Sequence, residues 1–156
     1  DLTKKVYFNA KDSYIYLSEK RHAISDTIEF HYIDNILSAQ LKHEKGLAEF
    51  NYSDNNFKLW GKGFNDTFMN ELFKLSEVKD GTFGFSVSGP PKNYKGVIYI
   101  KDSTIMDYKI LNNILAFVNT VPALVTFSLP GYSKNGLNIK RFYLDFELKN
   151  DIYKIQ

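Results

Sequence analysis

From Lys4 to Gly63 the chain is cut by brief polar segments into short apolar runs, and this punctuation constrains its fold more than any other feature. The breaks are Asp12-Ser13, Asp34-Asn35, Lys45-Gly46 and Ser53-Asp54-Asn55-Asn56, residue types that tolerate tight turns. Between them lie Val6 to Phe8, Tyr14 to Leu17, Ile28 to Ile33, Ile36 to Leu41, Leu47 to Tyr52 and Phe57 to Trp60. A spacing of roughly ten residues per run and turn predicts an antiparallel meander. Ile28, Phe30 and Tyr32 alternate with Thr27, Glu29 and His31, so that strand is expected to have one dry face and one wet face.

The second half mixes periods. Asp66 is placed to cap a helix in which Phe68, Leu72 and Leu75 fall at helical spacing beside Phe73, ending near Glu77. Phe83, Phe85 and Val87 alternate with Gly84, Ser86 and Ser88 in a strand closed by Gly89-Pro90-Pro91, and Val97 to Ile100 returns as a strand. From Asp107 to Leu129 the text is apolar and nearly uncharged. Pro122 and three Asn argue against a membrane span there, and an apolar helix-kink-helix hairpin is expected. Phe142, Leu144, Phe146 and Leu148 then alternate with polar residues, with a β-bulge expected at Lys140-Arg141 and a last strand from Ile152 to Ile155. The predicted class is α+β, a single domain over residues 1–156. A mostly antiparallel, curved sheet carries two or three short apolar helices, near 66–76, 107–119 and 122–128, and leaves room for a groove.

Chemistry is sparse. The formal charge is +2, with 20 basic and 18 acidic residues interspersed, which is unlike the basic stripe of a nucleic-acid binder. With no cysteine there is no thiolate ligand, nucleophile or disulfide. His22, His31 and His43 lack metal-ligand spacing and are read as surface residues, and no G-x-S-x-G elbow or phosphate loop occurs. Asp145 and Glu147 share a strand face, but solvated charge on an amphipathic strand explains them better than glycoside hydrolysis. The chain is therefore expected to be non-enzymatic and without a cofactor. Opening at Asp1 with no Met, it is read as an excised fragment or processed form.

Surplus hydrophobicity stands out, with 13 Phe and 11 Tyr. The strand faces Phe83/Phe85/Val87 and Phe142/Leu144/Phe146 need a covering layer; the Asp107–Leu129 hairpin, with Leu111, Leu115, Phe117, Leu124 and Phe127, can cover one of them and the Asp66–Glu77 helix another area. These residues are the candidates to contact lipid, in a sheet that curves without sealing. The alternatives are a scaffold domain docking on a protein partner or membrane surface, and a carbohydrate-binding β domain.

The order of several segments carries a resemblance. Gly81 to Gly89 is followed by Lys95-Gly96-Val97-Ile98-Tyr99-Ile100-Lys101-Asp102, then by Ile110 to Phe117, Pro122-Ala123-Leu124, Pro130-Gly131, and Gly136 before an amphipathic strand. That succession resembles the C-terminal region of the AsmA-like family, TamB- and YhdP-type proteins included. It covers about residues 61–156, while residues 1–60 match only as generic strands; the Pro-bearing segment and the aromatic-rich strands depart from the family's more aliphatic text. The resemblance implies an inner-membrane-anchored parent extending through the periplasm, with an elongated curved sheet whose apolar groove conducts phospholipid between membranes. It also implies phospholipid or a membrane surface as partner, with an envelope protein as a further one.

Overall fold

The computed structural model describes residues 5–16, 22–73, 78–105, 137–149 and 152–155. In chain order these form β1 (Lys5–Tyr16), β2 (His22–Ile33), β3 (Ile36–His43), β4 (Gly46–Ser53), β5 (Asn56–Phe64), α1 (Asp66–Phe73), β6 (Val78–Lys79), β7 (Thr82–Gly89), β8 (Asn93–Ile105), β9 (Leu137–Lys149) and β10 (Ile152–Ile155). One antiparallel sheet runs β1-β2-β3-β4-β5-β7-β8-β9-β10, with β6 pairing separately with β8. Most neighbours in the sheet are also neighbours in sequence, because two-residue turns leave the chain no other partner. Asp34 and Asn35 take φ of 50° and 67°, and Asp54 and Asn55 take 49° and 58°. Paired left-handed residues make the turn whose twist matches that of a hairpin, and Asp and Asn are the side chains that adopt it most readily.

The α+β expectation is overturned. Among the described residues a single eight-residue helix lies on a sheet that supplies nearly all the regular structure, so the class is mainly β. The antiparallel sheet itself agrees with the alternation in the sequence. The misjudgement came from strand length. One break read as a turn, Asp12-Ser13, turns out to be a kink inside a strand of 12 residues. Asp12, with φ of 48°, sits within β1, which pairs with β2 from Lys5↔Ile33 to Tyr16↔His22. The Lys45-Gly46 turn falls on Glu44 and Lys45 instead, and Gly46 opens β4. No bulge breaks the pairing at Lys140-Arg141, where Lys101↔Arg141 and Ser103↔Ile139 stay in one register, and Asp102 absorbs the kink with φ of 54°. The hairpin expected from Asp107 to Leu129 lies outside the described residues. No helix among the described residues is long and apolar enough to cross a membrane.

The helix cap also differs by one position. Asn65 Oδ1 accepts from Phe68 N at 3.0 Å, and Asn65 O takes the first helical bond from Met69 N at 3.1 Å. Asp66 instead accepts from Asp80 N at 3.0 Å, tying the start of α1 to the turn before β7. Phe68, Met69, Leu72 and Phe73 are all buried, so α1 packs its apolar stripe on one end of the sheet's inner face.

There Phe64 is fully buried and stacks on Phe68 with ring centres 3.9 Å apart. It reaches that position because Gly63, with φ of 75°, lets β5 advance three residues from Gly61 to Phe64 and keep the same face inward. Glycine beneath the rings is a steric requirement: a Cβ on Gly46 would collide with the Phe64 ring, and one on Gly61 would lie 2.6 Å from Phe85. Gly46→Ala is therefore expected to destabilise the fold by about 1–3 kcal/mol through overpacking. Denaturant unfolding checks this, with a lower midpoint at unchanged slope as the expected result.

Candidate functional site

In an antiparallel sheet directly opposite residues point to the same face, so register sorts the side chains into rungs. One inward rung runs Phe8–Phe30–Ala39–Phe50–Leu59–Val87–Gly96–Phe146. The next runs Ala10–Ile28–Leu41–Ala48–Gly61–Phe85–Ile98–Leu144. At a strand spacing of about 4.8 Å, each rung carries apolar chemistry across roughly 30 Å. The outward rung beside them reads Glu29–Gln40–Glu49–Trp60–Ser86–Val97–Asp145 and is largely polar.

Alpha-helix α1 is too short to cover both inward rungs. Where it stops, a groove of about 460 Å³ remains, floored by Ile28, Ala39, Phe50, Leu59 and Val87 and walled by Phe68, Leu72 and Phe73. Alternating large and small side chains (Ala39, Ala48, Gly61 and Gly96 among Phe, Ile and Leu) keep the floor low. Gln40 and Glu49 also border the groove, but their side chains belong to the outward rung, where they bond each other at 3.2 Å. A groove of this size lies within the range that binds small molecules, and its lining among the described residues is mostly apolar. Depressions on the outer face differ: one of about 410 Å³ is bordered by Ser86, Ser88, Lys95, Asp145 and Glu147.

Of the residues expected to contact lipid, Phe83, Phe85, Val87 and Phe146 line the groove. Leu144 and Phe142 pack with the core and do not line it. Leu111, Leu115, Phe117, Leu124 and Phe127 lie outside the described residues. Ile15, Ala23, Ile28, Ala39, Leu41, Ala48, Phe50, Phe57 and Leu59 were missed, although they supply much of the lining. The alternation at Ile28, Phe30 and Tyr32 was the available signal, since carrying it through the hairpin turns would have named the floor.

The histidines also depart from expectation. His43 is buried, not a surface residue, and its Nδ1 lies 2.9 Å from Asp26 Oδ1. His22 Nε2 pairs with Glu71 Oε2 of α1 at 3.0 Å. Asp26 also accepts from the backbone N–H of Glu44, and Glu44 Oε2 accepts from Asn65 Nδ2 at 2.7 Å. The chain Asp26–Glu44–Asn65 thus ties β2 and the β3–β4 turn to the cap of α1, the groove's wall. The Ser25 hydroxyl, next to Asp26 in sequence, donates to Ser13 O at 3.0 Å. Among the described residues no three potential ligands gather as a metal site needs.

Among the described residues these features define an antiparallel β-sheet protein with an apolar groove on its inner face. Comparison with family models, curated proteins and solved structures finds no match, so the groove's own chemistry carries the functional argument.

The Glu44 N–H bond, followed by the His43 contact, holds the Asp26 carboxyl below its ordinary value of 3.8. A carboxyl depressed in the folded state contributes stability above its unfolded pKa and loses it as pH falls through the folded one. Asp26→Asn is expected to lower the melting temperature at pH 7. The difference from the parent should shrink below pH 3.8, a window read by thermal melts across an acid series.

Proposed function

We propose that this chain is a non-enzymatic lipid-handling module whose groove shields acyl chains from water, as part of a bridge-like envelope protein of the AsmA type. The observation that carries the reading is the continuous apolar floor that, among the described residues, extends uncovered beyond α1. Each methylene moved from a bilayer into water costs about 0.8 kcal/mol, so a chain of ten carries a penalty of about 8 kcal/mol that a dry surface removes. No polar group is needed inside such a groove, because the ligand's tail offers none. The resemblance of residues 61–156 to the AsmA-like C-terminal region supplies the wider setting. In it an inner-membrane-anchored parent crosses the periplasm, phospholipid moves along the groove between membranes, and envelope partners lie at either end.

The direct test is native mass spectrometry of the purified chain with lipid extraction, alongside titration with a fluorescent fatty acid. Bound phospholipid or fatty acid is the expected result, and a chain that takes up neither removes the reading. Ala39→Trp fills the floor without cutting the core and is expected to lower acyl binding about tenfold or more while melting within a few degrees of the parent. Phe64→Ala is the contrasting variant, expected to cost about 3–5 kcal/mol of stability because it opens a cavity where burial is complete. If Ala39→Trp binds as the parent does, the acyl chain does not lie on this floor.

A further inference from the structure

Strand β1 is an edge with unusual exposure. Among the described residues nothing pairs with its outer side, yet Val6 and Phe8 are 50% and 56% exposed, and Tyr7, Tyr14 and Tyr16 more so. A long edge strand rich in exposed apolar side chains is a template for another strand. Its sequence and its kink together specify which one.

Phe8 and Ala10 face inward, opposite Phe30 and Ile28. Beyond Asp12 the inward positions become Ser13 and Ile15, opposite the buried Ser25 and Ala23. The inward face therefore changes parity at Lys11-Asp12, where Asp12 has φ of 48° and the Ser13 hydroxyl donates to Lys11 O at 2.9 Å. From Tyr7 to Tyr16 a strand of this kind can pair with its own copy, inward residue against inward residue at every position, in only one two-fold register. That register is centred between Lys11 and Asp12.

We infer that β1 pairs antiparallel with β1 of a second copy of this chain about that centre. Lys11 then stands opposite Asp12 of the second copy, and the symmetry repeats the pair, so two opposite-charge contacts flank the axis. Moving outward, Ala10 meets Ser13 and Phe8 meets Ile15 on the groove side. Asn9 meets Tyr14 and Tyr7 meets Tyr16 on the outer side. Every position is matched in face, and no like charges oppose each other from Tyr7 to Tyr16. Cross-strand aromatic and opposite-charge pairs of this sort are the ones that stabilise a sheet. The joined sheet keeps its apolar floor continuous across the seam, from Phe8 of one copy to Ile15 of the other. An edge contact buries less than a standard interface, so the dimer is a reversible one. The pairing stands independently of what fills the groove.

Sedimentation velocity over a concentration series is expected to show a monomer–dimer equilibrium. Lys11→Glu sets like charges against Asp12 at both contacts and is expected to weaken the dimer at least about tenfold. Its melting temperature should match the parent's, because Lys11 is exposed. Register is tested by cross-linking, for which the absence of cysteine leaves a clean background. Ala10→Cys chains mixed with Ser13→Cys chains should form disulfide-linked dimers under mild oxidation far faster than either variant alone. A chain that stays monomeric at its highest soluble concentration overturns the inference. So does a dimer indifferent to Lys11→Glu, or a mixture that cross-links no faster than its components.

Discussion

The fully buried Phe64 ring organises the rest of this molecule. It stacks against Phe68 of α1 on one side and runs parallel to Phe85 of β7, 6.2 Å away between centres, while glycines at 46 and 61 make room beneath it. Burying such a side chain stabilises by about 1.5–3 kcal/mol, and here the contact also sets where the helix lies. Phe73 meets Phe83 edge-on at 5.3 Å, extending the same aromatic contact along α1. Without that cluster an eight-residue helix has too few internal bonds to persist.

Because α1 is anchored at one end of the sheet, the other end of the inner face has nothing over it among the described residues. The groove is thus a consequence of mismatch between a sheet roughly 30 Å across and a helix of about 12 Å. Polar chemistry is confined to the edges of this arrangement. The Asp26–Glu44–Asn65 chain holds the helix cap from the side, and the outer face carries interspersed charge such as Lys58, Lys95 and Glu147.

Much of the meander was legible because its information is local. Asp34-Asn35 and Asp54-Asn55 favour a left-handed pair of residues, and a two-residue turn leaves the flanking strands one partner and one register. The kink at Asp12 was read as a turn for a local reason: Asp accepts positive φ both inside a strand and between strands. The candidate site was half legible. Phe83, Phe85, Val87 and Phe146 sit in strongly alternating runs, whereas Ala39, Ala48 and Leu41 lie in weaker ones and gain meaning only from their cross-strand neighbours.

By itself, then, the sequence determined an antiparallel sheet with one apolar face, the absence of thiol chemistry, and the positions of its tightest turns. These follow from side-chain alternation and from residue types that set backbone angles one or two positions at a time. Only the tertiary structure decided that Asn65 caps the helix, that His43 is buried against Asp26, and that, among the described residues, the apolar face is roofed at one end alone. Those outcomes depend on distances between residues far apart in the chain, and on how far a short helix reaches across a wide sheet. Periodicity along a single strand carries no measure of either.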